Sequence, residues 1–391
     1  MCSARTEVRV LALAGALPEG SSEVALRHAQ RRGLTLQWHD ADDVTVARRR
    51  LEQEVGTAGA VVLASGAAAS SEELAAAVAR VPVPVLHVDA EPLTTRDVVH
   101  AACDRVLHGR GRRGLRAALD VVVAGAHPPH QHAYGPHPDQ VLEVRWSADP
   151  PSGGAGTAVL FHGGFWLDTW ERDQLDRLAI ALTLHGWSTV NVGYRRTGPS
   201  GGGWPATLAD ACAALDAVAD LPLRGAGPVV AVGHSAGAQL ALYSATRAAA
   251  TALERRGDGP GAEVPGVVPR LRPTGVVALA GLFDLHAAAD EGLGDGATVR
   301  FLGGGPDEVP ERYAVASPVR RLPVGVPLMV LHGPDDRLVP VTQTRAFVTA
   351  ARAAGDTVEH AEVDTSHLDV IDPDGPAMPA LTAWLDGLLG H

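Results

Sequence analysis

Short apolar segments alternate with longer segments that are apolar along one side through most of the 391-residue chain. Before residue 124, strand-like runs alternate with stretches of helical periodicity, which predicts a parallel sheet covered by helices. The predicted strands are Val8–Leu13, Leu34–Trp38, Ala60–Ala64, Pro84–Val88 and Arg105–Leu107. The predicted helices are Ser22–Arg31, Val44–Val55, Ser71–Val81 and Gly114–Val122.

A polar stretch rich in proline and glycine interrupts this periodicity at residues 124–137 and predicts a linker. We therefore expect a small α/β domain over 1–123 and a larger one over 138–391, where strands and helices alternate again in a doubly wound, mostly parallel sheet. The linker contains His127, His130, His132 and His137. Because prolines interrupt this group and carboxylates are missing from it, a polar linker is favoured over a metal site.

The sequence Gly-His-Ser-Ala-Gly at 233–237 lies between an apolar strand and an apolar helix. This is the context in which the G-x-S-x-G pattern forms a sharp turn that exposes a nucleophilic serine. Ser235 is the candidate nucleophile, and the backbone N–H of Ala236 is a candidate oxyanion donor.

A second strand, Thr157–Phe161, is followed directly by His162-Gly163-Gly164-Phe165-Trp166. Paired glycines after a strand leave N–H groups open to a developing oxyanion, so Gly163 and Gly164 are the other candidate donors. Phe165 and Trp166 are expected to close a small acyl pocket, with core packing as the alternative for Trp166. His162 and His234 are expected to brace these turns rather than transfer protons.

The acid and the base are expected after later strands. Asp335 and Asp336 both follow the strand Pro327–Leu331. Asp336 is preferred because the acid of similar hydrolases usually stands three residues past the glycine, here Gly333. His367 comes after the last predicted strand and is the candidate base.

The amino-acid composition excludes several classes of enzyme and binding site. The chain has no lysine, which excludes a Walker A loop, a Schiff-base enzyme and Ser–Lys catalysis. Its three cysteines are too few and too scattered for a disulfide framework or a zinc cluster, and the net charge of −12 argues against nucleic acid and anionic membranes. Apolar runs stay well below the ~20 residues of a membrane span. We expect a cytoplasmic protein that needs no metal or cofactor and acts on a small molecule.

The larger domain resembles the alpha/beta-hydrolase fold and, within it, the kynurenine formamidase (arylformamidase) group. Besides the residues above, the matching positions are Tyr134-Gly135, Tyr194-Arg195, Trp204-Pro205, Asp210, Asp284 and Ser317-Pro318. Phe165 departs from that group, which usually has tyrosine there. The resemblance implies hydrolysis of an aryl formamide such as N-formyl-L-kynurenine. A carboxylesterase for short acyl esters is the alternative.

The first domain is expected to be flavodoxin-like and resembles type II 3-dehydroquinate dehydratase. The match includes Val85-Leu86-His87-Val88, Thr95-Arg96-Asp97 and Gly114-Leu115-Arg116. The tyrosine and asparagine that this chemistry requires are missing from the segment, so we expect it to be non-catalytic. Assembly of a homo-oligomer, or a scaffold or sensor role, is the expectation for this domain. Gly109–Gly114 also fits G-x-G-x-x-G but follows the last strand, so a glycine turn is favoured over a dinucleotide site.

Overall fold

A computed structural model describes residues 6–54, 58–65, 71–89, 99, 102–103, 105–108, 111–124, 127–147, 156–222, 227–246 and 269–389. The chain forms two compact units, residues 1–127 and 128–391. This division falls inside the predicted linker.

The first unit contains a five-stranded parallel sheet in the order β2-β1-β3-β4-β5. Its strands are β1 Glu7–Leu13, β2 Thr35–Ala41, β3 Ala60–Ser65, β4 Val85–Asp89 and β5 Arg105–His108. Its helices are α1 Ser21–Arg31, α2 Val44–Glu54, α3 Glu72–Val78 and α4 Gly111–Ala124. This is the flavodoxin-like strand order, as the alternation of apolar segments predicted.

The residues singled out for dehydratase or anion chemistry are only partly described. His87 is buried on β4 and hydrogen-bonds to Ser65 at the end of β3, with 2.6 Å between Nε2 and Oγ. Arg96 and the side chains of Arg110, Arg112 and Arg113 lie outside the described residues. The non-catalytic role of this unit stays a prediction.

The second unit contains an eight-stranded sheet in the order β13-β12-β11-β10-β8-β9-β7-β6. Strand β7 is antiparallel to β9 and β6 is antiparallel to β7, while the other pairs are parallel. Strands β6 to β9 are His130–Ala133, Val141–Arg145, Thr157–Phe161 and Ser188–Val192. Strands β10 to β13 are Val229–His234, Gly275–Leu279, Leu328–His332 and Val358–Glu362.

Both faces of this sheet are buried because successive side chains of the central strands point into different cores. Val159 and Phe161 of β8 lie in one apolar cluster, and Ala158 and Leu160 lie in the other. Helices α5 to α8 are Asp176–Leu184, Ala206–Asp220, Ala236–Ala245 and Leu285–Asp290. Helices α9 to α12 are Leu293–Leu302, Pro310–Ala316, Val341–Ala353 and Met378–Leu388. Short 3₁₀ helices are Arg172–Leu175, Pro318–Arg321 and Asp369–Ile371.

The predicted linker is wrong in its second half. His130–Ala133 forms edge strand β6, which pairs with β7, and the hydroxyl of Tyr134 donates to the carbonyl of Gly193 at 2.6 Å. Residues 128–137 therefore belong to the second unit. Among the described residues, no group of three or more His, Cys, Asp or Glu side chains is arranged to hold a metal ion.

Several residues that suggested a formamidase bind one another around Asp210. This carboxylate is 1% exposed on α6 and accepts two bonds from the Arg195 guanidinium, at 2.9 and 2.7 Å. It also accepts from the Arg195 backbone N–H at 2.9 Å and from the Gln140 amide at 2.7 Å. This cluster ties α6 to the loop after β9 and to the start of β7.

We expect Asp210→Ala to lower the free energy of unfolding by about 2–3 kcal/mol, because it strands the Arg195 charge and the Gln140 amide. The effect stays at the low end because the Arg195 side chain is 28% exposed. Urea unfolding followed by circular dichroism measures it. The control is Asp220→Ala on the same helix, where the carboxylate is 66% exposed and the expected loss is below about 0.5 kcal/mol. Equal losses in the two variants would contradict the buried role of Asp210.

Candidate active site

The turn between β10 and α7 places Ser235 in a strained conformation. Its φ is 55° and ψ is −120°, a region that side-chain-bearing residues rarely adopt. The two flanking glycines allow this turn because backbone atoms crowd both positions. A Cβ on Gly233 would lie 2.3 Å from the Gly237 oxygen, and one on Gly237 would lie 2.0 Å from the Phe161 oxygen. The strand–turn–helix predicted for the elbow is therefore confirmed.

Ser235 is held through its backbone and keeps its hydroxyl uncommitted. Its N–H donates to the Leu279 carbonyl on β11 at 2.8 Å. The residue is 1% exposed, and among the described residues its Oγ has no hydrogen-bond partner. Hydrogen bonds between catalytic groups are often long before substrate binds. The Ser235 hydroxyl is therefore available to form one with a nearby base.

The acid and the base are in direct contact. Nδ1 of His367 lies 2.6 Å from Oδ2 of Asp336, and the Asp336 side chain is fully buried. Asp335 is exposed. Of the two candidate aspartates, Asp336 is the one placed against His367. Its role as the catalytic acid stays a prediction.

The Asp336 carboxylate is bound on both oxygens. Oδ1 accepts from the N–H groups of Leu338 and Val339, at 2.8 and 3.0 Å, and Oδ2 also lies 3.1 Å from Nε2 of His332. Burial by itself raises the pKa of this carboxyl, but the hydrogen bonds from His332, His367 and Val339 hold the pKa well below its usual range. Asp336 is therefore ionised at neutral pH and can hold His367 with its proton on Nδ1.

His234 connects the elbow to the loop of the base. Its Nε2 lies 2.8 Å from the backbone carbonyl of His367, and the two rings are 4.9 Å apart between centroids. Burial and then the neighbouring His367 lower the pKa of His234 to about 3, so the ring is neutral at pH 7 and has one N–H. That proton lies on Nε2, because the His367 carbonyl oxygen 2.8 Å away can only accept a hydrogen bond. His234 braces the loop, as expected.

His162 plays a similar supporting part. Its ring stacks on Tyr194 at 4.2 Å, and its Nδ1 lies 2.8 Å from the Gly163 carbonyl. Burial, followed by the charge of Arg196, lowers the pKa of His162 to about 3. The Tyr194 hydroxyl donates to the His162 carbonyl at 2.7 Å. A neutral ring in this position holds the glycine loop and transfers no proton.

One predicted oxyanion donor is already occupied. The N–H of Gly163 donates to Oε1 of Gln174 at 2.7 Å, so the expectation for Gly163 is corrected. Within the described part of the chain, the N–H groups of Gly164 and Ala236 have no paired acceptor. Ala236 is the first residue of α7, where no preceding helical carbonyl can take its proton. These two amides are the donors that the structure leaves open.

The two aromatic residues after Gly164 have different environments. Trp166 is fully buried, stacks on Phe301 at 4.2 Å and donates its Nε1–H to Gln239 at 3.1 Å. This packing agrees with the alternative expectation for Trp166, in which the ring belongs to the core beneath the loop. Phe165 is half-buried against Gly294, where an added Cβ would lie 2.7 Å from the ring. Both have positive φ, 53° for Phe165 and 58° for Trp166, which is strained for bulky residues.

The sequence reasoning missed two residues of this site. Gln174 lies on the 3₁₀ helix after the glycine loop, and His332 ends β12 four residues before Asp336. The position of His332 at the end of a strand, directly before Gly333, was the available signal. Gln174 had no comparable signal because its contact depends on how the loop folds back.

The sequence model of the BD-FAE family matches residues 150–350, slightly more than half of the chain. The chain belongs to the BD-FAE family. The matched range contains the glycine loop, the elbow and Asp336. His367 lies beyond it.

Similar proteins carry esterase names. The chain is 28% identical over 282 residues to esterase LipQ and 27% identical over 230 residues to esterase LipC, both of Mycobacterium tuberculosis. These matches cover 68% and 56% of this BD-FAE chain, which spans only 65% of LipQ and 54% of LipC. The crystal structure of esterase B from Lactobacillus Rhamnosis superposes with a TM-score of 0.55 at 18% identity, covering 70% of this chain and 91% of that one. This likeness confirms the alpha/beta-hydrolase fold.

No helix in the described residues of this BD-FAE protein combines the length and hydropathy needed to cross a membrane.

We expect Asp336→Asn to lower kcat by about 10⁴-fold, because an amide in place of the carboxylate favours the wrong tautomer of His367. Asp335→Asn is the matched control and should leave kcat within about twofold, because exposed side chains away from the site contribute little. Initial rates with p-nitrophenyl acetate measure both. A larger loss in Asp335→Asn than in Asp336→Asn would overturn the assignment.

Gly163→Ala should lower kcat by about 10²-fold even though the N–H of Gly163 faces away from the oxyanion, because small displacements of catalytic groups are costly. An added Cβ would lie 2.7 Å from Nδ1 of His234 and 3.0 Å from Cβ of Ser235. Gly387→Ala on α12 is the control, since a Cβ there meets nothing within 4 Å. An unchanged kcat in Gly163→Ala would show that the elbow tolerates displacement.

Proposed function

We propose that this BD-FAE protein is a serine carboxylesterase that hydrolyses short-chain acyl esters. The observation that carries the proposal is the contact between Asp336 and His367 at 2.6 Å, on a loop bonded to the elbow of Ser235. The esterase names of LipQ and LipC support it, as does membership of the family.

In the first half of the reaction, Oγ of Ser235 attacks the ester carbonyl carbon and Nε2 of His367 takes the hydroxyl proton. The N–H groups of Gly164 and Ala236 receive the negative charge that develops on the carbonyl oxygen. Asp336 stabilises the imidazolium that forms. His367 then returns its proton to the alkoxide as the C–O bond breaks, which releases the alcohol and leaves an acyl-serine.

In the second half, water attacks the acyl carbon while His367 accepts a proton from it. The tetrahedral intermediate collapses, His367 protonates Oγ of Ser235, and the carboxylic acid leaves. The same two amides hold the oxyanion in both halves. A redox partner is not required, because the reaction consumes only water.

The surroundings of the nucleophile favour a short acyl group. Ser235 is 1% and His367 6% exposed. Phe165 follows a proposed oxyanion donor directly and is held against the turn at Gly294. A long acyl chain would have to displace this ring, so acetyl and propionyl esters fit better than longer ones.

The formamidase alternative loses part of its support in the structure. Tyr134, Arg195 and Asp210 belong to hydrogen-bonded clusters of the scaffold, and Tyr194 braces the glycine loop. The scaffold accounts for these contacts, so the residues do not by themselves favour an aryl formamide. Esters are also the easier substrates, since an alkoxide leaves more readily than an amide nitrogen.

The test compares kcat/KM for p-nitrophenyl acetate, p-nitrophenyl octanoate and N-formyl-L-kynurenine. We expect the acetate to be the best substrate and the octanoate to be about 10-fold poorer or worse, because Phe165 must move for a longer chain.

Ser235→Ala is the control, and it should abolish turnover of all three, with a loss of about 10⁶-fold for the acetate. A formamide rate far above the ester rate would restore the formamidase assignment. Ester turnover that survives in Ser235→Ala would remove Ser235 as the nucleophile.

A further inference from the structure

A second histidine, His332, binds the same carboxylate oxygen of Asp336 that His367 binds. His332 is completely buried at the end of β12, and its Nε2 lies 3.1 Å from Oδ2 of Asp336 and 3.0 Å from the Val339 carbonyl. Its Nδ1 lies 2.6 Å from the hydroxyl of Thr344 on α11. Every polar atom of this side chain therefore has a partner.

These partners determine where the proton of His332 is. A carboxylate and a backbone carbonyl can only accept hydrogen bonds, so Nε2 must be the protonated nitrogen. Nδ1 of the neutral ring is then an acceptor, and the Thr344 hydroxyl, which can donate, fills it. The hydrogen-bond partners of His332 therefore favour one tautomer of its ring.

We infer that His332 is a positioning residue that orients the carboxylate of Asp336 toward His367. This inference rests on the proposed function, because it assigns His332 to the same reaction. His332 does not reach the substrate; it acts through Asp336.

The orienting effect follows from how the carboxylate is bound. Leu338 and Val339 hold Oδ1, and His332 holds Oδ2, so rotation of the group about its last bond would break three hydrogen bonds. Oδ2 is thereby directed at His367 before any substrate arrives. Without His332, only His367 itself would fix that oxygen.

The kinetic test uses His332→Leu and His332→Gln, with kcat and KM for p-nitrophenyl acetate measured separately at neutral pH. His332→Leu should lower kcat about 10-fold and leave KM within about twofold. Losses of this size are typical when a residue that orients a functional group is removed. His332→Gln keeps an N–H near Oδ2 and should restore most of kcat.

His360→Gln is the matched control, a half-buried histidine on β13 that should leave kcat unchanged. A folded His332→Leu enzyme with the kcat of the wild type would overturn the inference. So would a His332→Gln enzyme that is folded but matches His332→Leu in kcat.

A measurement on the unmodified protein keeps the inference testable if these variants fold poorly. Nitrogen-15 NMR of the histidine rings, with His332 assigned by comparison with His332→Gln or by selective labelling, reports which nitrogen carries the proton. A protonated Nε2 and a bare Nδ1 are expected, and the opposite tautomer would overturn the inference. This experiment needs no turnover, so it separates failure of the His332 role from failure of the esterase proposal.

Discussion

The close packing of the first turn of α7 against the end of β8 is the constraint on which the site depends. At Gly237 there is no space for a side chain, because a Cβ would meet the carbonyl oxygens of Phe161 and His162 at 2.0 and 2.5 Å. This approach brings the start of the helix next to the glycine loop. It also sets Ser235 in its strained turn, with the open N–H of Ala236 beside it. A hydrogen bond from His234 then attaches the loop of His367 to the same turn.

Much of this site could be predicted because its determinants are local. The elbow needs small residues around Ser235, and the acid needs a fixed spacing after Gly333, so both can be read from short segments. Contacts that form only after folding could not be predicted in this way. The amide of Gly163 binds Gln174, which is eleven residues away on a separate 3₁₀ helix. Trp166 turns into the core because Phe301, far along the chain, provides a stacking surface.

In the fold, too, local sequence patterns were predicted and contacts that form only on folding were missed. Central strands were predicted because both of their faces are buried and they are apolar throughout. Strand β6 was missed because all four of its residues are exposed and polar or small, so its sequence has no hydrophobic pattern. It is held through backbone pairing with β7, which leaves no trace in side-chain composition. An edge strand of this kind can be recognised only once its neighbour is in place.

The four histidines around the site differ because of the partners that their rings have. His162 and His234 face carbonyl oxygens, and burial keeps both neutral, with pKa values near 3. His332 faces a carboxylate, but it also binds Val339 and Thr344, and its proton is committed to two acceptors. Only His367 combines a carboxylate on Nδ1 with an Nε2 that has no partner among the described residues. A buried imidazolium needs a negative charge beside it, and a base needs a nitrogen open to the substrate. His367 meets both conditions, so the neighbouring rings can be crowded into the same region without competing for the proton of Ser235.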